Sequence, residues 1–343
     1  MKLVYAFSLA ALLAACAVTP TVKRADCTHI ESCVMAGNIA VLAEDSIADP
    51  ILETAHKGAL SFHRYFGVVN APIAIVPGGV ISPELDQRLK IAGYEVSLPW
   101  ISATDKKTLA ESQIRQQVQE QTTGMSPEQQ EAIIKSALAR IESPSSSNSM
   151  SDTEQGALTH ELGHLWFKAA FKSVDEEAVG EFGYGSWAPD WLDETAAILL
   201  ENETLMQKRR AAFKTLPLTD FYPLEDFLKM EHPSLKSAEA LTEEFGLKTG
   251  GGNRAIVLSG EKAEAFLKAS KDSDPINFYR QVRGFADYVI NATGNERIFA
   301  TLAQHLGQGK SFETWLLETE GLPNDMESLN DDWNEFIAKR SMH

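Results

Sequence analysis

The chain has 343 residues, 44% hydrophobic and 23% charged, with a formal net charge of −17 at pH 7. That length and balance suit a soluble globular protein of about two domains with a sizeable core. The negative charge argues against nucleic acid and anionic lipid headgroups as partners, because their phosphates would be repelled.

Residues 1–15 carry one Lys, a run of about a dozen apolar residues and then small residues, which is the pattern of a secretory signal. The run is too short to span a bilayer. Leu13-Ala14-Ala15-Cys16 looks like a bacterial lipobox, which implies cleavage before Cys16 and acylation of its thiol and new amino terminus. Several acyl chains hold a protein at a membrane where one would not. Ala17 stands where an inner-membrane retention signal would have Asp, so the resemblance implies a lipid-anchored protein of the bacterial envelope, on the outer membrane facing the periplasm. An ordinary signal peptide with a chance Cys is the alternative. Residues 16–34 then form the tether, in which Cys27 and Cys33 flank Thr-His-Ile-Glu-Ser. An even pair of thiols in an oxidising compartment reads as a disulfide. A metal site of the two Cys with His29 is the other reading.

Residues 35–142 read as an α/β region with a helical insert. From Met35 to Phe66 apolar residues recur at helical spacing, interrupted by Asp49-Pro50, which predicts two helices. His56 and His63 share a face of the second, and with no carboxylate at matching spacing they read as packing or solvated residues. Val68 to Val76 is rich in β-branched residues and ends at Pro77-Gly78-Gly79, a strand followed by a turn. A second strand is expected from about Gly93 to Trp100. Residues 104–142 hold two Gln-rich helical patterns separated by Gly124-Met-Ser-Pro127, with Ser126 and Pro127 suited to the cap and first position of the second. This insert reads as either a lid or a plain helical layer. A Ser-rich linker, 143–151, leads into the region 152–343, whose first helix Ser151 or Asp152 would cap.

That helix carries His160-Glu161-Leu-Gly-His164. At 3.6 residues per turn, residues four apart lie on one face, so the two imidazoles stack where one metal ion can bridge them. Glu161, about 100° around the helix, is displaced from the ion yet within reach of a proton on water beside it. A hydrolytic zinc site needs a third protein ligand and an open position. Trp191 to Asn202, WLDETAAILLEN, reads as a helix that carries a carboxylate for that purpose.

HELGH followed by Trp191-Leu-Asp-Glu194-Thr-Ala-Ala197 and Glu201 resembles the gluzincins, the thermolysin-like clan of zinc metallopeptidases. The clan's downstream helix typically reads W-x-x-E-G-x-A-x-x-x-E, and this chain matches the Trp, both Glu and the Ala, with Thr195 where Gly is usual. The resemblance implies one Zn2+ per chain held by His160, His164 and Glu194, with Glu161 as general base. The 30 positions from His164 to Glu194 exceed the gap in thermolysin itself. The clan also uses a Tyr or His to stabilise the oxyanion. Tyr184, ten positions before Glu194 in a Gly-rich stretch, is one candidate, and Tyr279 in NFYRQVRGFADYVI is its rival.

Carboxylates should orient the imidazoles. Asp175, Glu176, Glu177, Asp193 and Glu201 are available. Glu201, seven residues after Glu194, returns to the same helix face and is the better candidate to orient a ring; Asp193, which adjoins Glu194 but points elsewhere on the helix, is the second. His232 and His305 accompany no carboxylate motif and read as structural. After Tyr222 helices are expected near 256–269, 276–291, 295–306, 310–318 and 328–340. The fold class is therefore α+β and zincin-like, with a small N-terminal sheet, an active-site helix and a mainly helical C-terminal lobe. The function implied is zinc-dependent hydrolysis of a peptide or protein substrate, endopeptidase action being favoured because no G-x-M-E-N strand is present. A catalytically silent lipoprotein scaffold on the same fold is the competing reading.

Overall fold

The structure, a computed structural model, describes residues 25–122, 124–138, 150–174, 186–233 and 275–340. The lipidation expected at Cys16, the linker over 143–149, the acidic run 175–177, Tyr184 and the helix near 256–269 lie outside the described residues.

The N-terminal region is built on a four-stranded sheet in the order β1-β2-β3-β4. Cys33–Ala36 (β1) and Ile39–Leu42 (β2) pair antiparallel with Ala36 opposite Ile39. Ile73–Pro77 (β3) and Val96–Trp100 (β4) then add in parallel, placing Ile73 between Ile39 and Val96. The hairpin corrects the expectation of a helix beginning at Met35. Its apolar residues fit either period, but Gly37 at φ 65° opens a two-residue turn with Asn38 that joins paired strands. Asp45–Phe66 (α1) is likewise one helix and not two. Pro50 lies in its second turn and forgoes one ladder hydrogen bond, while burial of Ile51, Leu52, Ala55, Phe62 and Phe66 holds the helix through it.

Side chains alternate across the sheet. Ile39, Val41, Ile73, Ile75, Leu98 and Trp100 enter the main core, whereas Ala40, Ala74, Val76 and Tyr94 join a smaller one beneath Pro83–Ile91 (α2). Cys27 and Cys33 pack against the smaller core and form a disulfide, Cα atoms 5.7 Å apart. The Gln-rich patterns fold as Ala103–Gln121 (α3) and Pro127–Leu138 (α4), joined by an Arg115–Glu131 ion pair of 3.0 Å.

Asp152–Ala170 (α5) starts at Ser151, whose hydroxyl accepts from the Glu154 amide while the Glu154 carboxylate accepts from the Ser151 amide. Asp190–Leu200 (α6) follows, buried at every residue from Trp191 onwards, with the polar Asp193, Glu194 and Thr195 among its apolar residues. It packs on α5 through Gly163: a Cβ there would lie 2.6 Å from Ala197 Cα and 2.9 Å from the Ala196 carbonyl oxygen. Glu203–Thr215 (α7) is capped by Asn202, which also donates to the Asp152 carbonyl. Leu224–Lys229 (α8), Pro275–Thr293 (α9), Ile298–Gly307 (α10), Phe312–Glu318 (α11) and Met326–Lys339 (α12) follow among the described residues. One hydrophobic core runs from the sheet through α1, α5 and α6 to Phe285, Phe299 and Trp333 on α9, α10 and α12. No helix among the described residues is long and apolar enough to cross a membrane.

Candidate metal centre

Two facing helices supply the site. His160 and His164 project from α5 and Glu194 from α6, all three buried in the seam that Gly163 allows to close. Among the described residues this is the one group of His, Cys, Asp or Glu arranged to hold a metal ion. His160 Nε2 and His164 Nε2 are 3.3 Å apart, and Glu194 Oε2 lies 3.4 Å from the first and 3.8 Å from the second.

The far nitrogen of each ring is held by a carboxylate. His160 Nδ1 is 2.9 Å from Glu201 Oε1, and His164 Nδ1 is 2.7 Å from Asp193 Oδ2. Ionised carboxylates only accept, so each Nδ1 donates to its carboxylate, and the Nε2 atoms are left as the nitrogens that would face a metal ion. With both Nε2 atoms unprotonated, two lone pairs and a carboxylate oxygen face one another at short range, an arrangement that could hold a metal ion. Around a tetrahedral ion with bonds of about 2.0 to 2.2 Å, neighbouring donor atoms stand roughly 3.3 to 3.6 Å apart. The 3.3 and 3.4 Å separations fall in that range, and the 3.8 Å between His164 Nε2 and Glu194 Oε2 lies just outside it.

Burial by itself would lower the His164 pKa, but the hydrogen bond and charge of Asp193, with Glu194 and Glu161 beyond, push it up to about 9. A cation entering the site therefore displaces a proton at neutral pH. Burial would raise the Glu201 carboxyl, yet its bonds to His160 and Arg209 hold it below the usual range.

Asp193, the second of the two carboxylates expected to orient a ring, contacts His164. It does leave α6 on a different side from Glu194, but α5 lies close enough for its carboxylate to reach the outer nitrogen of His164. Glu201 ends α6 as its C-cap and faces His160, the position expected for it. Glu161 is exposed, and the two rings each keep about a tenth of their side-chain surface accessible (11% and 10%). Thr195 satisfies its hydroxyl on the Trp191 carbonyl at 2.7 Å, which accommodates a polar side chain where the related motif has Gly.

Tyr279 comes to the site from α9, its hydroxyl donating to Glu194 Oε1 at 3.2 Å. His232 was expected to be structural. It is buried, with Nε2 3.4 Å from that same oxygen and its backbone amide donating to Asp190. Burial, then the charges of His164 and His160, push its pKa down to about 4. Sequence reasoning also missed Arg209, whose guanidinium grips Glu201. Neither residue sits in a spacing motif, and their distance along the chain from HELGH hid them. His305 bonds Thr314 at 2.8 Å in the helical lobe, and His56 and His63 are exposed on α1.

Comparison of the chain with family models, with characterised proteins and with solved structures found no match.

Proposed function

We propose that the protein is a zinc-dependent peptide hydrolase of gluzincin type, held at the bacterial envelope through an acylated Cys16. The observation that carries this reading is the convergence of His160 Nε2, His164 Nε2 and Glu194 Oε2, with Glu161 exposed alongside. A donor set of two imidazoles and one carboxylate suits zinc.

When bound, such an ion supplies Lewis acidity, polarising a carbonyl and making water a nucleophile near neutral pH. The chain's own residues do the rest. Asp193 and Glu201 retain the Nδ1 protons and so keep both Nε2 lone pairs turned inward. Glu161 takes the proton from the attacking water and passes it to the leaving amine. Tyr279, already at the ligand carboxylate, supplies a hydroxyl to the developing oxyanion. Support for the anchor comes from Leu13-Ala14-Ala15-Cys16 alone, and fatty-acid labelling that persists in Cys16→Ser would remove it.

The test of the hydrolase is a pair of measurements. Purified protein should carry about one zinc per chain, and Glu161→Gln should abolish cleavage of casein or a peptide library while keeping the metal. Substrates left intact by zinc-loaded wild type would overturn the reading.

A further inference from the structure

Resting on the metal-centre reading above, we infer that Arg209 is a positioning residue of that centre, joining two of its ligands through separate contacts made by one guanidinium. Arg209 stands on α7, which contributes no ligand. Its Nε donates to Glu201 Oε2 at 2.5 Å and its Nη2 to Oε1, the oxygen that also faces His160 Nδ1 at 2.9 Å. The carboxylate is thus gripped by two parallel bonds, which fixes its plane as well as its place.

The guanidinium also lies over the Tyr279 ring, Cζ 4.8 Å from its centroid. That ring carries the hydroxyl donating to Glu194 Oε1 at 3.2 Å. Arg209 therefore reaches His160 by way of Glu201 and Glu194 by way of Tyr279. A lysine could neutralise Glu201 but could neither hold both oxygens in one plane nor lie flat on the ring.

The pair is shielded. Glu201 exposes 1% of its side chain and Arg209 20%, so the contact is little screened and loss of the guanidinium would leave a buried carboxylate facing His160 alone. Glu201 would then be free to tilt, taking the imidazole with it. Residues that orient metal-bound histidines through hydrogen bonds typically change metal affinity by about 10- to 100-fold. Arg209 acts one contact further out on one ligand while touching the support of a second, and its effect belongs in the same range.

The experiment measures metal affinity by chelator competition, together with the visible spectrum of the cobalt-substituted protein. Full-length wild type, Arg209→Met, Glu201→Gln and the double variant are compared. Arg209→Met should weaken metal binding about 10- to 100-fold and shift the cobalt bands. The double variant should be no weaker than Glu201→Gln by more than the small share carried through Tyr279. Arg209→Lys, which keeps the charge and protects folding should Arg209→Met be unstable, should fall between wild type and Met. Unchanged affinity and spectrum in folded Arg209→Lys and Arg209→Met, or fully additive losses in the double variant, would overturn the assignment. Wild type that takes up no metal overturns both this inference and the reading beneath it. Metal uptake without hydrolysis sinks the hydrolase alone and leaves the role of Arg209 standing.

Discussion

Asp193 Oδ2 lies 2.7 Å from His164 Nδ1, joining a residue of α6 to the outer nitrogen of a ring on α5. The adjacent Glu194 turns towards the inner nitrogens, so two successive side chains on one helix serve opposite sides of one imidazole.

Asp193→Asn preserves the shape of this contact but removes its charge, and with it the force that keeps the ring in one tautomer. Metal affinity is expected to fall about 10- to 100-fold with the fold intact. Chelator competition measures it, and a wild-type affinity would show that the hydrogen bond is incidental.

Gly163→Ala sets two effects against each other. Alanine favours helix by about 1 kcal/mol, but its Cβ would stand 2.6 Å from Ala197 Cα, a backbone atom with little room to move. Overpacking of this kind costs about 1 to 3 kcal/mol, so the clash should win. Because Ala197 shares α6 with Glu194, forcing the helices apart should also weaken metal binding. Urea denaturation with metal titration tests both, and a variant as stable as wild type would contradict the close packing.

Tyr279→Phe removes the hydroxyl beside Glu194. Turnover of a peptide substrate should drop at least about tenfold, the scale seen when oxyanion donors are removed, with zinc content unchanged. Equal treatment of Tyr184→Phe decides between the rivals. If Tyr279→Phe is fully active, the hydroxyl has no part in the chemistry.

Asp287 is expected to contribute to the acid sensitivity of the helical lobe. It binds Arg210 through 2.9 and 3.0 Å bonds and also pairs with Arg283, whose side chain is 1% exposed. Burial would raise its carboxyl, but the two arginines hold it below the ordinary range. A carboxylate with a depressed folded pKa stabilises above its unfolded value of about 3.9 and loses that contribution as pH falls through the folded value. Asp287→Asn should therefore cost about 3 kcal/mol at pH 7, because Arg283 stays buried without its counter-charge. The gap to wild type should narrow below about pH 4. Urea midpoints at pH 7 and pH 3 check it, and a gap that persists unchanged in acid would assign the loss to packing.

The helix of His160 and His164 was legible because its signal is local: HELGH needs only helical period to bring two rings together, and Ser151 or Asp152 is the expected cap, of which the structure uses Ser151. Glu194 and Glu201 could be placed from spacing along a second apolar helix. The helices from 276 to 340 were found within a few residues for the same reason. Where the sequence misled, the deciding contact was tertiary or the period ambiguous. Asp193 ranks behind Glu201 because of its angle on α6, yet α5 lies close enough for it to reach His164. The Met35–Leu42 stretch fits helix and strand alike until β3 supplies a partner for β2. Nothing in the order of residues announces that Arg209 or His232 will fold back onto the site.

The centre draws on segments that lie near one another along the chain. Its outer supports are separated from what they hold by 41 positions for His160 and Glu201, 29 for His164 and Asp193, and 8 for Glu201 and Arg209. Tyr279 must travel 85 positions to reach Glu194. Shorter loops close at lower entropic cost, so the α5 to α7 cluster should assemble before α9 docks on it. In stopped-flow refolding, added zinc should then speed the earliest phase and spare the later one, and acceleration confined to the late phase would reverse that order of events.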